Sequence, residues 1–92
     1  MIVHSLYKAP KGLIRIEADL DSGVLASVRI TGDFFMVPEE SISALERHLE
    51  GVRLDQGSVS KAIDDFYSSG VETPMLGRDD MVKAVMGVSS GS

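Results

Sequence analysis

The sequence predicts an α+β fold, a three-stranded antiparallel sheet followed by helices packed on one face. Three observations predict it. Apolar and polar side chains alternate with period two along the N-terminal half, the period becomes helical after Phe35, and all the strands precede all the helices. Strands grouped in this way, instead of alternating with helices, argue against a parallel βαβ sheet. A chain of 92 residues with 43% hydrophobic and 25% charged residues is sized and composed for one modest core. The domain expectation is therefore one unit over 1–87 and a frayed tail over 88–92, where Val88 has nothing to pack against.

The two clearest strands form a hairpin. From Leu13 to Leu20, Ile14, Ile16, Ala18 and Leu20 share one face, and Arg15, Glu17 and Asp19 the other. From Val24 to Thr31 the alternation repeats, with Val24, Ala26, Val28 and Ile30 expected inward. Asp21-Ser22-Gly23 supplies the tight turn, because glycine takes positive φ without steric cost. Ile2 to Lys8 is rich in strand formers but alternates less cleanly, and is read as an edge strand. Ala9-Pro10-Lys11-Gly12 then breaks it into a loop or bulge that presents its lysines outward.

The first helix is expected to start at Pro38-Glu39-Glu40, where proline fits a first helical position and acids complement the helix dipole. Ile42, Leu45 and Leu49 recur at helical spacing until Gly51. A second helix begins near Asp55 or Ser58, with Val59, Ala62, Ile63, Phe66 and Tyr67 on one apolar stripe and Gly70 as its stop. A third spans Arg78 to Met86 and turns Met81, Val82 and Val85 inward.

Composition removes several function classes. The net charge of -5 opposes nucleic-acid binding, which draws on clustered Lys and Arg. No apolar run approaches the roughly 20 residues of a membrane span, and no N-terminal signal pattern is present, so a cytoplasmic chain without a membrane partner is expected. Zero cysteines leave no disulfide, thiolate metal site or cysteine nucleophile, and two histidines, His4 and His48, offer no metal-ligand spacing. Phosphate-loop, dinucleotide and nucleophile-elbow motifs are missing, so no catalytic residue is assigned. The acid pairs Glu39-Glu40, Asp64-Asp65 and Asp79-Asp80 read as solvated helix faces. His48 reads as a partly buried structural residue, and His4 has no acidic sequence neighbour with which to form a dyad.

One segment resists a purely structural reading. Gly32-Asp33-Phe34-Phe35-Met36-Val37-Pro38 joins the last strand to the first helix with two adjacent aromatics, and alternation from Ile30 turns Gly32 and Phe34 inward and Asp33 and Phe35 outward. An exposed phenylalanine beside a loop is read as a candidate partner contact, against the alternative of a strand that simply ends in the core.

The run Val28-Arg29-Ile30-Thr31-Gly32-Asp33-Phe34-Phe35, then Pro38-Glu39-Glu40, a helix and Leu49-Glu50-Gly51-Val52, resembles the C-terminal accessory domain of lipoate–protein ligases. It looks most like the archaeal-type form, a free subunit beside a separate catalytic subunit. Lys8-Ala9-Pro10-Lys11-Gly12-Leu13-Ile14-Arg15 resembles the family's basic run into its second strand, although the family often carries a further glycine or lysine there. The resemblance covers Tyr7 to Tyr67, and the third helix fits the free-subunit form. It implies an accessory subunit without catalytic residues of its own, needed for ATP-dependent activation of lipoate to lipoyl-AMP before transfer to a lysine of a lipoyl-acceptor domain. The implied partner is the catalytic subunit, in a heterodimer. ATP, Mg and lipoate are implied for the complex, and no cofactor for this chain alone. Gly32, Asp33, Phe34 and Phe35 become the expected lid contact, and Lys8, Lys11 and Gly12 the expected phosphate-proximal group. The competing reading is a non-enzymatic scaffold or regulatory interaction domain. Iron–sulfur scaffold proteins have a similar fold but work through cysteines, which this chain lacks.

Overall fold

The computed structural model describes residues 1–10, 12–74 and 76–89. Three strands, β1 (Ile2–Ala9), β2 (Gly12–Asp21) and β3 (Val24–Asp33), form an antiparallel sheet in the order β1-β2-β3. Three helices follow, α1 (Ser41–Leu49), α2 (Gln56–Tyr67) and α3 (Arg78–Met86), with a short 3-10 turn over Gly87–Ser89. The helices cover one face of the sheet. Val3, Ile14, Ile16, Ala18, Val28 and Ile30 are buried beneath them, against Leu45, Leu49, Val59, Ile63, Phe66, Met81 and Val85.

The hairpin turn is made by Ser22 and Gly23, both at positive φ, the two-residue arrangement whose twist matches that of the strands. A register shift opposite Asp19 and Leu20 pairs Asp19 with Ser27 and Leu20 with Leu25, so β3 carries one extra residue there. This bulge changes the expected inward set. Leu25 is buried, Ala26 is exposed and Val24 is only half-buried, whereas Val28 and Ile30 recover the expected phase.

The break between β1 and β2 is shorter than expected. Ala9 pairs with Gly12, so both residues belong to the ladder, and Lys11 lies outside the described residues. The first helix begins later than Pro38. Ser41 N donates to Pro38 O and Ile42 N to Glu39 O, which makes Pro38 to Glu40 a turn that leads into α1, and the first helical turn holds no acid. The second helix is capped at Asp55, the first of the two expected starts, whose carboxylate accepts from Ser58 N at 2.8 Å. The third helix has the expected bounds.

Val88 corrects the start of the expected tail, whose residues 90–92 lie outside the described residues. It is 1% exposed in the 3-10 turn that follows α3, which packs on β1 and extends the core. His48 is exposed, not partly buried, with its ring 6.3 Å from Phe66. Asp80 is more than a solvated acid. It accepts from Tyr7 Oη and from Gly77 N, both at 2.9 Å, and so ties α3 to β1. This bond, aided by burial and the neighbouring acids, holds the Tyr7 hydroxyl above its ordinary pKa.

Candidate functional site

The face of the sheet away from the helices is uncovered, and its side chains form cross-strand rows. Lys8, Leu13 and Asp33 make one row, Leu6, Arg15 and Thr31 the next, and His4, Glu17 and Arg29 a third. The expected basic residues Lys8 and Arg15 thus lie in neighbouring rows of one open face. His4 finds in space the acid it lacks in sequence, its Nε2 standing 3.2 Å from Glu17 Oε1 in an exposed pair. Leu6 is 62% exposed on the same face, a feature that the irregular alternation of β1 concealed.

The row of Lys8 and Asp33 lies at the end of the sheet where the chain leaves for Phe34 and Phe35. Lys8, Pro10, Gly12, Leu13 and Asp33 border one shallow hollow there. Lys8 and Gly12, expected near phosphate, and Gly32 to Phe35, expected as a lid contact, are distant in sequence yet lie at one end, and Lys11 lies outside the described residues. Gly12 is packed by backbone and side chain alike: a Cβ on it would stand 3.1 Å from Asp33 O and 3.3 Å from Phe34 Cβ. Lys8 is exposed and makes no ion pair among the described residues.

Phe34 is half-buried and packs on the core, while Phe35 is 78% exposed. The cause lies on both sides. β3 holds the segment through Asp33, and Val37 forms a two-way backbone bridge with Glu72, at 2.7 and 2.9 Å, which anchors the chain after the buried Met36. Phe35 projects from a backbone fixed at both ends. Gly32 has φ +144°, a region open to glycine, and a Cβ there would collide with Leu13 O.

Beside this segment lies an apolar cleft of about 490 Å³. Buried Ile30 and Met36 and half-buried Phe34 and Ile42 line it, and exposed Phe35 and Val37 form its rim. Glu39 supplies its charge. Val37, Glu39 and Ile42 read in the sequence as turn and helix residues, not as residues of a site. The change to helical spacing after Phe35 hinted at Ile42, but only the fold sets the turn against the edge of β3. No three His, Cys, Asp or Glu side chains come together among the described residues. No helix among the described residues is long and apolar enough to cross a membrane.

Comparison with known proteins gives consistent matches. Residues 4–83 match the family described as bacterial lipoate protein ligase C-terminus. The chain is 41% identical over 85 residues to lipoate-protein ligase A subunit 2 of Thermoplasma acidophilum, covering 92% of this chain and 88% of that one. It also superposes with a TM-score of 0.86 and 41% identity on a solved chain from the archaeal lipoylation system of the same organism, a study of a bipartite lipoate protein ligase and its E2 lipoyl domain. That match covers 92% of this chain and 94% of the solved one.

Proposed function

Because the chain belongs to the lipoate protein ligase C-terminus family, we propose that it is the non-catalytic accessory subunit of a two-subunit lipoate–protein ligase. Its partner is the catalytic subunit, and the pair modifies a lysine of a lipoyl-acceptor domain. The observation that carries this reading is the 41% identity to a free second subunit over nearly the full length of both chains.

The two-step chemistry needs lipoate and ATP to form lipoyl-AMP before transfer. Activation requires the lipoate carboxylate in line with the α-phosphate, and the mixed anhydride must be kept from water. This chain supplies a rigid surface that can close over such a cleft. Phe35 and the rim at Val37 provide the closing contact, and Lys8 brings positive charge to the same end of the sheet. In this reading magnesium and ATP are held by the catalytic subunit, and this chain acts through the surface it lays beside them. The complex works in the cytoplasm, where ATP is supplied.

The test is reconstitution. Pyrophosphate release from ATP and lipoate is measured for the catalytic subunit with and without this chain. Activation should appear only with both, whereas transfer from pre-made lipoyl-AMP should proceed without this chain. Equal activation without it would refute the accessory role.

A further inference from the structure

Backbone polar groups of an antiparallel strand face its neighbour and the outside alternately. On β3 the outward set is fixed at Ile30, whose N–H donates to Glu46 Oε2 at 2.7 Å, away from β2. The same parity turns the N–H and C=O of Gly32 outward, at the cleft beside Phe35. Two other positions on this edge are covered. Near the hairpin, Leu25 exchanges backbone bonds with Val52 and Gly51, and Glu46 blunts the edge at Ile30. None of the hydrogen bonds outside the ladder reaches Gly32 among the described residues, and Gly32 is exposed.

An open ladder position next to an apolar cleft is the arrangement that takes an added strand, with main-chain bonds for affinity and a pocket for side-chain choice. The charge at the cleft is negative. Glu39 lines it, Glu40 follows directly, and no basic side chain lines it among the described residues. Resting on the accessory-subunit reading, we infer that this cleft binds an extended segment of the catalytic subunit, apolar with a flanking Lys or Arg. The segment pairs with Gly32 as a short added strand, sets an apolar side chain between Phe35 and Ile42, and places its cation against Glu39. Phe35 is then one wall of a strand-binding groove instead of an isolated contact.

The experiment follows amide hydrogen exchange by NMR in the labelled chain, free and saturated with the catalytic subunit, alongside binding of Glu39→Lys. Gly32 exchange should slow by at least about tenfold in the complex, while Ile30, already bonded to Glu46, changes little. Glu39→Lys should weaken association by about tenfold or more in low salt, and less in high salt. A complex that forms with Gly32 exchange unchanged, or that binds Glu39→Lys as tightly as the native chain, overturns the strand-addition inference alone. Failure of the native chain to form any complex overturns the accessory reading with it.

Discussion

Replacing Phe35 with alanine separates assembly from folding. The side chain is 78% exposed, so its removal takes little from the core of the free domain, and the stability change should stay within about 0.5 kcal/mol. Its value lies in what it can bury on docking. A phenylalanine offers roughly 200 Å², and with 78% of it accessible about 150 Å² remains to be covered. At about 25 cal/mol per Å² that area corresponds to about 4 kcal/mol as an upper figure. An aromatic that acts as an interface hot spot contributes about 2 kcal/mol or more, a factor of about 30 in Kd. Titration calorimetry with the catalytic subunit should therefore show Kd raised by about 30-fold or more, and lipoyl-AMP formation at subsaturating concentrations should fall with it. Phe34→Ala is the partner experiment. Phe34 is half-buried on the core, so this variant should lose about 1 to 3 kcal/mol of folding stability. If Phe35→Ala folds, binds and supports activation like the native chain, the contact assignment is wrong. If it unfolds instead, the assignment of inward and outward aromatics is wrong.

Three further outcomes follow from the geometry. Phe66, 5% exposed and edge-on to Tyr67 at 5.6 Å, should cost about 3 to 5 kcal/mol when changed to alanine, and a loss under about 1 kcal/mol in denaturant titration would contradict the packing of α2. Lys8→Ala should leave stability unchanged, because an exposed charge contributes little to folding, yet slow lipoyl-AMP formation in the reconstituted enzyme; an unchanged rate would remove its electrostatic role. The bond from Ser58 N holds the Asp55 carboxyl below the ordinary aspartate range, so its stabilising contribution is complete above about pH 4 and is lost as pH falls through the lower folded value. Asp55→Ala should consequently lower the melting temperature near neutral pH and narrow its gap to the native chain on acidification, and a gap that is constant down to about pH 2 would refute the cap.

Helical periodicity was the most legible feature. The five residues of the α2 stripe are all buried, and α3 begins and ends where its flanking glycines indicate, because amphipathic spacing and breakers are local properties. What escaped was set by contacts between distant segments. The bulge at Ala26 depends on how Asp19 and Leu20 pair across the hairpin, and no residue in β3 announces it. Pro38 carried the right type for a helix start, but the bridge between Val37 and Glu72 claims the preceding residue and delays the helix to Ser41. Val88 looked unpartnered because its partners lie on β1 and β2, more than sixty residues earlier in the chain. At the site, alternation from Ile30 correctly separated Phe34 from Phe35, since the bulge lies upstream of that point. The cleft could not be read at all, because it is made by Ile30, Met36 and Ile42, which belong to three different local structures.

The ends of the sheet differ in a way that matters for a docking subunit. At the hairpin end the backbone is closed: Gly51, Val52 and Leu54 bond to Leu25 and Gly23, and Asp55 caps the helix that follows. At the other end Lys8, Asp33, Phe35 and the open edge at Gly32 face solvent together. Phe35 is nevertheless held, because β3 fixes the chain on one side and the bridge between Val37 and Glu72 fixes it on the other. A side chain presented on a fixed backbone loses less freedom on docking than one on a loose loop, so more of its buried area becomes affinity. Glu39 lies exposed at the same end, and exposed charges of that kind steer encounter more than they tighten the final contact. On the proposed reading, Phe35 and the cleft would then set how long the complex lasts, and Glu39 how fast and in which orientation it forms.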